Sequence, residues 1–271
     1  MVEWLHIVAL VLYGTASGVL GVSFARAAPR LARYASAVLA AGLVVHALAL
    51  AQFVGRWSEL PLVGLGPSLS TLAFLVGLGT LIAATLSEAR TLGLVLVPLV
   101  MLLTGVASAV GVVPAGESMD FRGVWFVLHV VFAFVGYVGL TVAFAAGLMY
   151  LLQFRELKSK HFGAIFRFFP PLDTLDGLGR KGLLVGFPFL TLAMLLGWAW
   201  TARFAGIAMP GNPKLIWVIL SWLVFLGALL ARLGGGRRSQ RGALASVIGF
   251  VVVVLIYVVI RVQTSHGGTF L

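Results

Sequence analysis

Cysteine is absent from all 271 residues. A disulfide framework, thiol redox chemistry, Fe–S ligation and thioether attachment of a prosthetic group to this chain are thereby excluded. Charge is scarce as well, at 10% of residues against roughly 25% in soluble domains. Only eight residues are acidic, and none lies inside an apolar run: Glu3, Glu59, Glu117 and Asp120 fall at or beyond one set of run ends, Glu88, Glu156, Asp173 and Asp176 at the other. That removes the buried carboxylates through which transporters relay protons or sodium, and the usual carboxylate ligands of Mg²⁺ or a di-iron centre. There is also no low-complexity tail and no segment that reads as a soluble domain.

What is abundant is apolar surface. Hydrophobic residues make up 61% of the chain, with a mean hydropathy of +1.10. A spanning helix needs about 20 mostly apolar residues, and eight segments qualify: 4–24, 34–54, 66–87, 91–113, 123–153, 182–202, 213–232 and 243–263. The runs are continuous rather than alternating, and a span must satisfy its own backbone hydrogen bonds, so the expected fold is all-α. It is a polytopic bundle of eight transmembrane helices forming one membrane domain over 1–271. The first run has no basic n-region or small-residue cleavage site before it, so Leu5 to Phe24 is expected to remain as an anchor.

The net charge of +11 does not form a basic domain, and no nucleic-acid partner is expected. Fourteen of the nineteen Lys and Arg fall in one set of loops, while Arg56, Arg122, Arg203, Lys214 and Arg261 occupy the other. By the positive-inside rule this puts both termini outside, in a multi-pass protein of a bacterial-type cytoplasmic membrane. The one long inner loop, 154–181, mixes Phe162, Ile165, Phe166, Phe168 and Phe169 with basic residues and reads equally as a surface-lying amphipathic segment or a solvated linker. An outer loop, 203–214, carries Pro210 and Pro213 around Gly211 and Asn212. Each proline removes a backbone donor, so the sixth and seventh spans end there in a hairpin.

Four of the five histidines, His6, His46, His129 and His266, sort to the outer leaflet or its edge, with His161 alone in the inner loop. Neutral imidazole binds iron, copper and zinc, and histidine pairs on separate helices hold haem in membrane proteins. A single intramembrane histidine is as readily explained by a hydrogen bond to a neighbouring helix. Trp4, Trp57 and Trp125 read as an interfacial aromatic belt. Trp200, Trp217 and Trp222 border the proline-bracketed loop, where flat aromatic surfaces can pack on a flat apolar ligand.

The stretch "WFVLHVVFAFVGYVGL" (125–140), the segment "PPLDTLDGLGRKGLLVGFPFLTLAMLLGWAW" (170–200), "NPKLIWVILSWLVF" (212–225) and "TSHGG" (264–268) stand in order along the chain. Together they resemble the CcsA/CcmC-type cytochrome c assembly proteins, membrane haem-handling proteins with a tryptophan-rich outer loop flanked by two histidines. The resemblance places those two roles on His129 and His266. The loop itself is degenerate, with Ala205, Met209, Gly211 and Asn212 where further tryptophans and an aspartate are expected. Leu229-Leu230-Ala231 stands where the synthases carry an inner-side histidine. With "GLVVHALAL" at 42–50 and no large soluble domain, the chain is more similar to the HemX/YpjD branch.

The resemblance implies haem b held at the outer face, with His129 and His266 as axial ligands. Trp200, Trp217 and Trp222 would form an apolar wall for the ring, and Arg203 and Lys214 would face the propionates. His46 and His6 are expected either to make a second site or to support the first by hydrogen bonding. Expected partners are membrane lipid, haem, and other proteins of cytochrome c assembly or haem biosynthesis. Haem handling rather than autonomous catalysis is expected, since no motif sets an acid–base pair beside a nucleophile. The alternative is a regulatory or scaffolding membrane protein that affects haem biosynthesis or cytochrome assembly without carrying haem. A cytochrome b serving quinone fits less well with ligands on one side of the bilayer. A transporter fits least, without buried ion-binding carboxylates or an inverted repeat.

Overall fold

The computed structural model describes residues 1–28, 30–85, 89–114, 123–160, 163–204, 213–232 and 237–265, with side chains except at 200–204, 213–214, 237–238 and 257–265. Nine α-helices and one short 3₁₀ turn lie among these residues, and no strand. The helices are α1 (Val2–Ala25), α2 (Leu31–Trp57), α3 (Leu65–Thr85), α4 (Gly93–Val110), α5 (Val124–Ser159), α6 (Ala164–Phe168), α7 (Leu172–Phe204), α8 (Pro213–Arg232) and α9 (Arg237–Ser265). All but the five-residue α6 are long and apolar enough to cross a membrane. The chain is thus an all-α, multi-pass membrane protein, as the apolar runs require.

The chain divides into two compact units, residues 1–118 with 152–174 and residues 119–151 with 175–271. In the first, α1 pairs with α2 and α4, and α3 with α4. The α1–α2 approach is close because Gly42 has no side chain: a Cβ there would lie 2.8 Å from the Tyr13 ring. Short loops are pinned by side chains. Thr71 Oγ1 donates to the Pro61 carbonyl at 2.6 Å and Ser68 Oγ to that of Leu62 at 3.0 Å. Ser58 ends α2 in the left-handed region at φ 54°.

In the second unit α5 and α7 meet on a clasp of glycines. A Cβ on Gly139 would come within 2.7 Å of the Gly186 Cα, one on Gly182 within 2.7 Å of the Gly139 carbonyl oxygen, and one on Gly186 within 2.9 Å of the Gly136 carbonyl oxygen. Apolar tails of lipid give helices no hydrophobic reason to associate, so small residues that let backbones touch supply the packing energy. The clasp also fixes register between two antiparallel helices. Leu140, Ala143, Leu183, Leu190, Phe225 and Ala228 form the core beside it.

Segment 154–181 is mostly helix. Six residues extend α5 to Ser159, ten begin α7 at Leu172, and α6 lies between. Glu156 accepts the Phe166 backbone N–H at 2.7 Å, and the Phe168 and Phe169 rings sit 5.4 and 6.0 Å from Phe24 at the end of α1. His161 and Phe162 lie outside the described residues. In the 203–214 loop, Pro213 takes the first helical position of α8, where its missing N–H costs nothing; residues 205–212 lie outside the described residues.

Candidate functional site

His129 stands in the second turn of α5. Ten residues along that helix from Gly139, it faces α7 in the register set by the glycine clasp, and its Nδ1–H donates to the Ala193 carbonyl at 2.6 Å. Gly197, four residues further along α7, makes this possible. A Cβ there would lie 2.7 Å from His129 Cε1 and 2.9 Å from Nδ1, so the imidazole rests against bare backbone. The carbonyl can only accept, so Nδ1 carries a proton, and in the neutral ring the lone pair is then on Nε2. A ring oriented through Nδ1–H by a backbone carbonyl, with a basic Nε2 to spare, is how metal-binding histidines are commonly held. The side chain is half-buried.

His6 and His46 occupy the other unit and are fully buried, as are Tyr13 and Ser70. Their two Nε2 atoms both lie 2.8 Å from Ser70 Oγ of α3, His6 Nδ1 is 2.8 Å from the Val2 carbonyl oxygen, and His46 Nδ1 is 3.0 Å from the Tyr13 hydroxyl. The Val2 carbonyl only accepts, and for neutral imidazoles this sets every proton in the chain. Tyr13 O–H donates to His46 Nδ1, His46 Nε2–H to Ser70 Oγ, Ser70 O–H to His6 Nε2, and His6 Nδ1–H to Val2. The result ties α1, α2 and α3 with no ring nitrogen left over. Recruitment of either histidine as a ligand would require one of these bonds to break.

The tryptophans near the loop are held by their indole N–H groups. Trp217 donates to the Val253 carbonyl at 3.3 Å, with the Tyr137 ring 5.8 Å away; Trp222 donates to Thr191 Oγ1 at 2.9 Å, with Phe187 at 5.3 Å. Both are half-buried between helices of the second unit. Trp4 and Trp125 are 71% and 64% exposed, as belt residues are, while Trp57 packs on Phe53 at 4.7 Å under Arg56. His266 and the side chains of Trp200, Arg203 and Lys214 lie outside the described residues.

One further polar cluster had no signal in the sequence beyond its charges. Arg232, 3% exposed near the end of α8, donates from Nη1 to the Asp176 carboxylate at 3.0 Å and to the Asp176 carbonyl at 3.1 Å, and from Nε to Ser246 Oγ at 3.2 Å. Ser239 Oγ donates to the second Asp176 oxygen at 3.1 Å. Gly179 and Gly242 leave room for the guanidinium and its stem: a Cβ at Gly179 would lie 2.6 Å from Nη1. The cluster binds α7, α8 and α9 together. No group of three or more His, Asp and Glu with metal-site spacing occurs among the described residues.

A family model described as Cytochrome C assembly protein matches residues 42–266. The chain is similar to the cytochrome c biogenesis protein CcsA of Chlamydomonas reinhardtii, at 29% identity over 182 residues that cover 64% of this chain and 49% of that protein. It is similar to the protein of the same description from Guillardia theta, at 30% identity over 148 residues and 49% of each chain. With that of Gloeothece citriformis the match is 26% identical and covers 83% of this chain and 84% of the relative. The chain thus spans about half the length of the first two relatives, 49% in each case. No solved structure matches.

Proposed function

The chain belongs to the cytochrome c assembly protein family, and from that premise we propose that it handles haem for cytochrome c assembly, using His129 Nε2 as one axial ligand. The observation that carries this reading is the 2.6 Å bond from His129 Nδ1 to the Ala193 carbonyl over Gly197. It occupies Nδ1 and leaves Nε2 as the ring nitrogen that could hold the haem iron. Bound haem would supply the prosthetic group that a c-type cytochrome carries. The chain's part is to orient and retain it.

His266 is the second ligand in this reading, at the outer face, and Trp200, Arg203 and Lys214 complete the surroundings; these assignments rest on the resemblance. Haem b and a bacterial cytoplasmic membrane belong to the same proposal, as does a place in the HemX/YpjD branch. His6 and His46 serve as a clasp for α1–α3. The test is haem titration of purified protein followed by its Soret band. Loss of the wild-type band in His129→Ala and in His266→Ala supports the assignment, and an unchanged band in both refutes it.

A second reading is favoured by a different observation: the indoles of Trp217 and Trp222 are spent on Val253 and Thr191 rather than left open. In it the chain scaffolds or regulates haem synthesis or cytochrome assembly through its helices. Protein that recruits such partners while failing to bind haem in the same titration would select it.

A further inference from the structure

A groove of about 360 Å³ opens along the surface between α8 and α9, lined by Val224, Gly227, Ala228, Leu244, Ile248 and Val252 with Arg241 at one end. Every lining residue but Arg241 is apolar or glycine. The groove has its depth because α8 presents Gly227 and Ala228 where a bundle surface usually carries large side chains, and a Cβ at Gly227 would meet nothing within 4 Å. Gly249 works in the opposite way. It brings α9 against α8, where a Cβ would lie 2.6 Å from Val224. The helices therefore meet closely at Gly249 and at Gly242, where a Cβ would lie 3.3 Å from the Arg232 Cα, and leave the groove beside these contacts.

The geometry points to an anionic glycerophospholipid as the occupant: we propose that one acyl chain lies in the groove with its phosphate on Arg241. Three features favour a lipid. From Arg241 to Val252 is eleven residues, or roughly 16 Å at 1.5 Å per residue. That is about half the ~30 Å hydrocarbon core, the depth of one leaflet, whereas a partner helix would follow the bundle across the whole bilayer. Second, the only charge is at the end where a headgroup would sit. Arg232, at the end of α8, is committed to Asp176 at 3.0 Å; Arg241 is exposed and makes no hydrogen bond or ion pair among the described residues. Third, the sequence places Arg237 and Arg238 four and three positions before Arg241, so further positive charge is concentrated in the same stretch of the chain.

Native mass spectrometry of the full-length protein tests this, in detergent carrying equal amounts of phosphatidylglycerol and phosphatidylcholine with identical acyl chains. Wild type should retain phosphatidylglycerol over phosphatidylcholine by roughly fivefold, the preference one such charge confers. Arg241→Gln should bring the ratio close to one. Gly227→Leu places its Cβ where nothing lies within 4 Å, extends a side chain into the groove and should reduce adducts of both lipids, with helical content and Tm as in wild type. A ratio unchanged in Arg241→Gln, or adducts undiminished in Gly227→Leu, overturns the proposal. So does a dimer abolished by Gly227→Leu in place of lipid adducts, which would give the groove to a second copy of the chain.

Discussion

His129 and Gly197 are partners in space although 68 positions apart: the glycine's missing side chain is what lets the imidazole reach the Ala193 carbonyl at 2.6 Å. The role of Gly197 is therefore steric. Gly197→Ala sets a methyl 2.7 Å from the ring and must turn His129 away from its carbonyl. Loss of such an orienting bond typically costs about 10–100-fold in metal affinity, so haem titration of Gly197→Ala should show weakening of that order. Affinity equal to wild type would show that the carbonyl bond does not position the ligand.

The buried chain from Tyr13 to Val2 predicts an order of damage. Ser70→Ala strands two ring nitrogens, those of His6 and His46, while Tyr13→Phe strands only His46 Nδ1. Each buried group left unmatched costs about 1–3 kcal/mol. Thermal unfolding in detergent, followed by circular dichroism, should therefore give Ser70→Ala the lower Tm of the two. A reversed order would contradict the proton assignment.

The glycine clasp couples packing to ligand position. Gly139→Val forces α5 from α7, at an overpacking cost of about 1–3 kcal/mol, and carries His129 off its register. It should lower both Tm and haem binding. Gly18→Ala is the control, since a Cβ there meets nothing within 4 Å, and both readouts should stay at wild type.

Arg232 and Asp176 form an ion pair whose side chains are 1% and 22% exposed. Asp176→Asn leaves the buried guanidinium without its counter-charge. The expected loss is roughly 3 kcal/mol, the lower end for breaking a buried pair because Asp176 still reaches solvent. Arg232→Met with Asp176→Leu removes both charges and should be more stable than Asp176→Asn alone. Chemical unfolding compares the two directly, and a double variant less stable than the single one would contradict the account.

The eight spans were legible because an apolar run of membrane length has few other readings. Their ends were not. Residues 154–159 and 172–181 are charged or glycine-containing and fall outside any hydropathy window, yet such residues continue a helix readily once its hydrogen bonds have started. His129 was legible by position and by resemblance, but Ala193 offers only a backbone carbonyl, which no side-chain pattern can announce. Ser70 and Tyr13 are not legible for a related reason: a hydroxyl in an apolar run carries no sign of its partner until packing brings α1, α2 and α3 together. The spacing of Gly136, Gly139, Gly182 and Gly186 is a signal present in the sequence. Trp217 and Trp222 read as an apolar wall, and the sequence carries no sign of the acceptors that their N–H groups find between helices.

The central claim is tested most directly by titrating haem into purified wild-type and His129→Gly protein and recording the Soret band with and without added imidazole. Wild type should bind with a band unaffected by imidazole. His129→Gly should lose that band, and imidazole, free to enter beside Gly197, should restore it. A His129→Gly band equal to wild type in position and intensity before any imidazole is added would contradict the assignment.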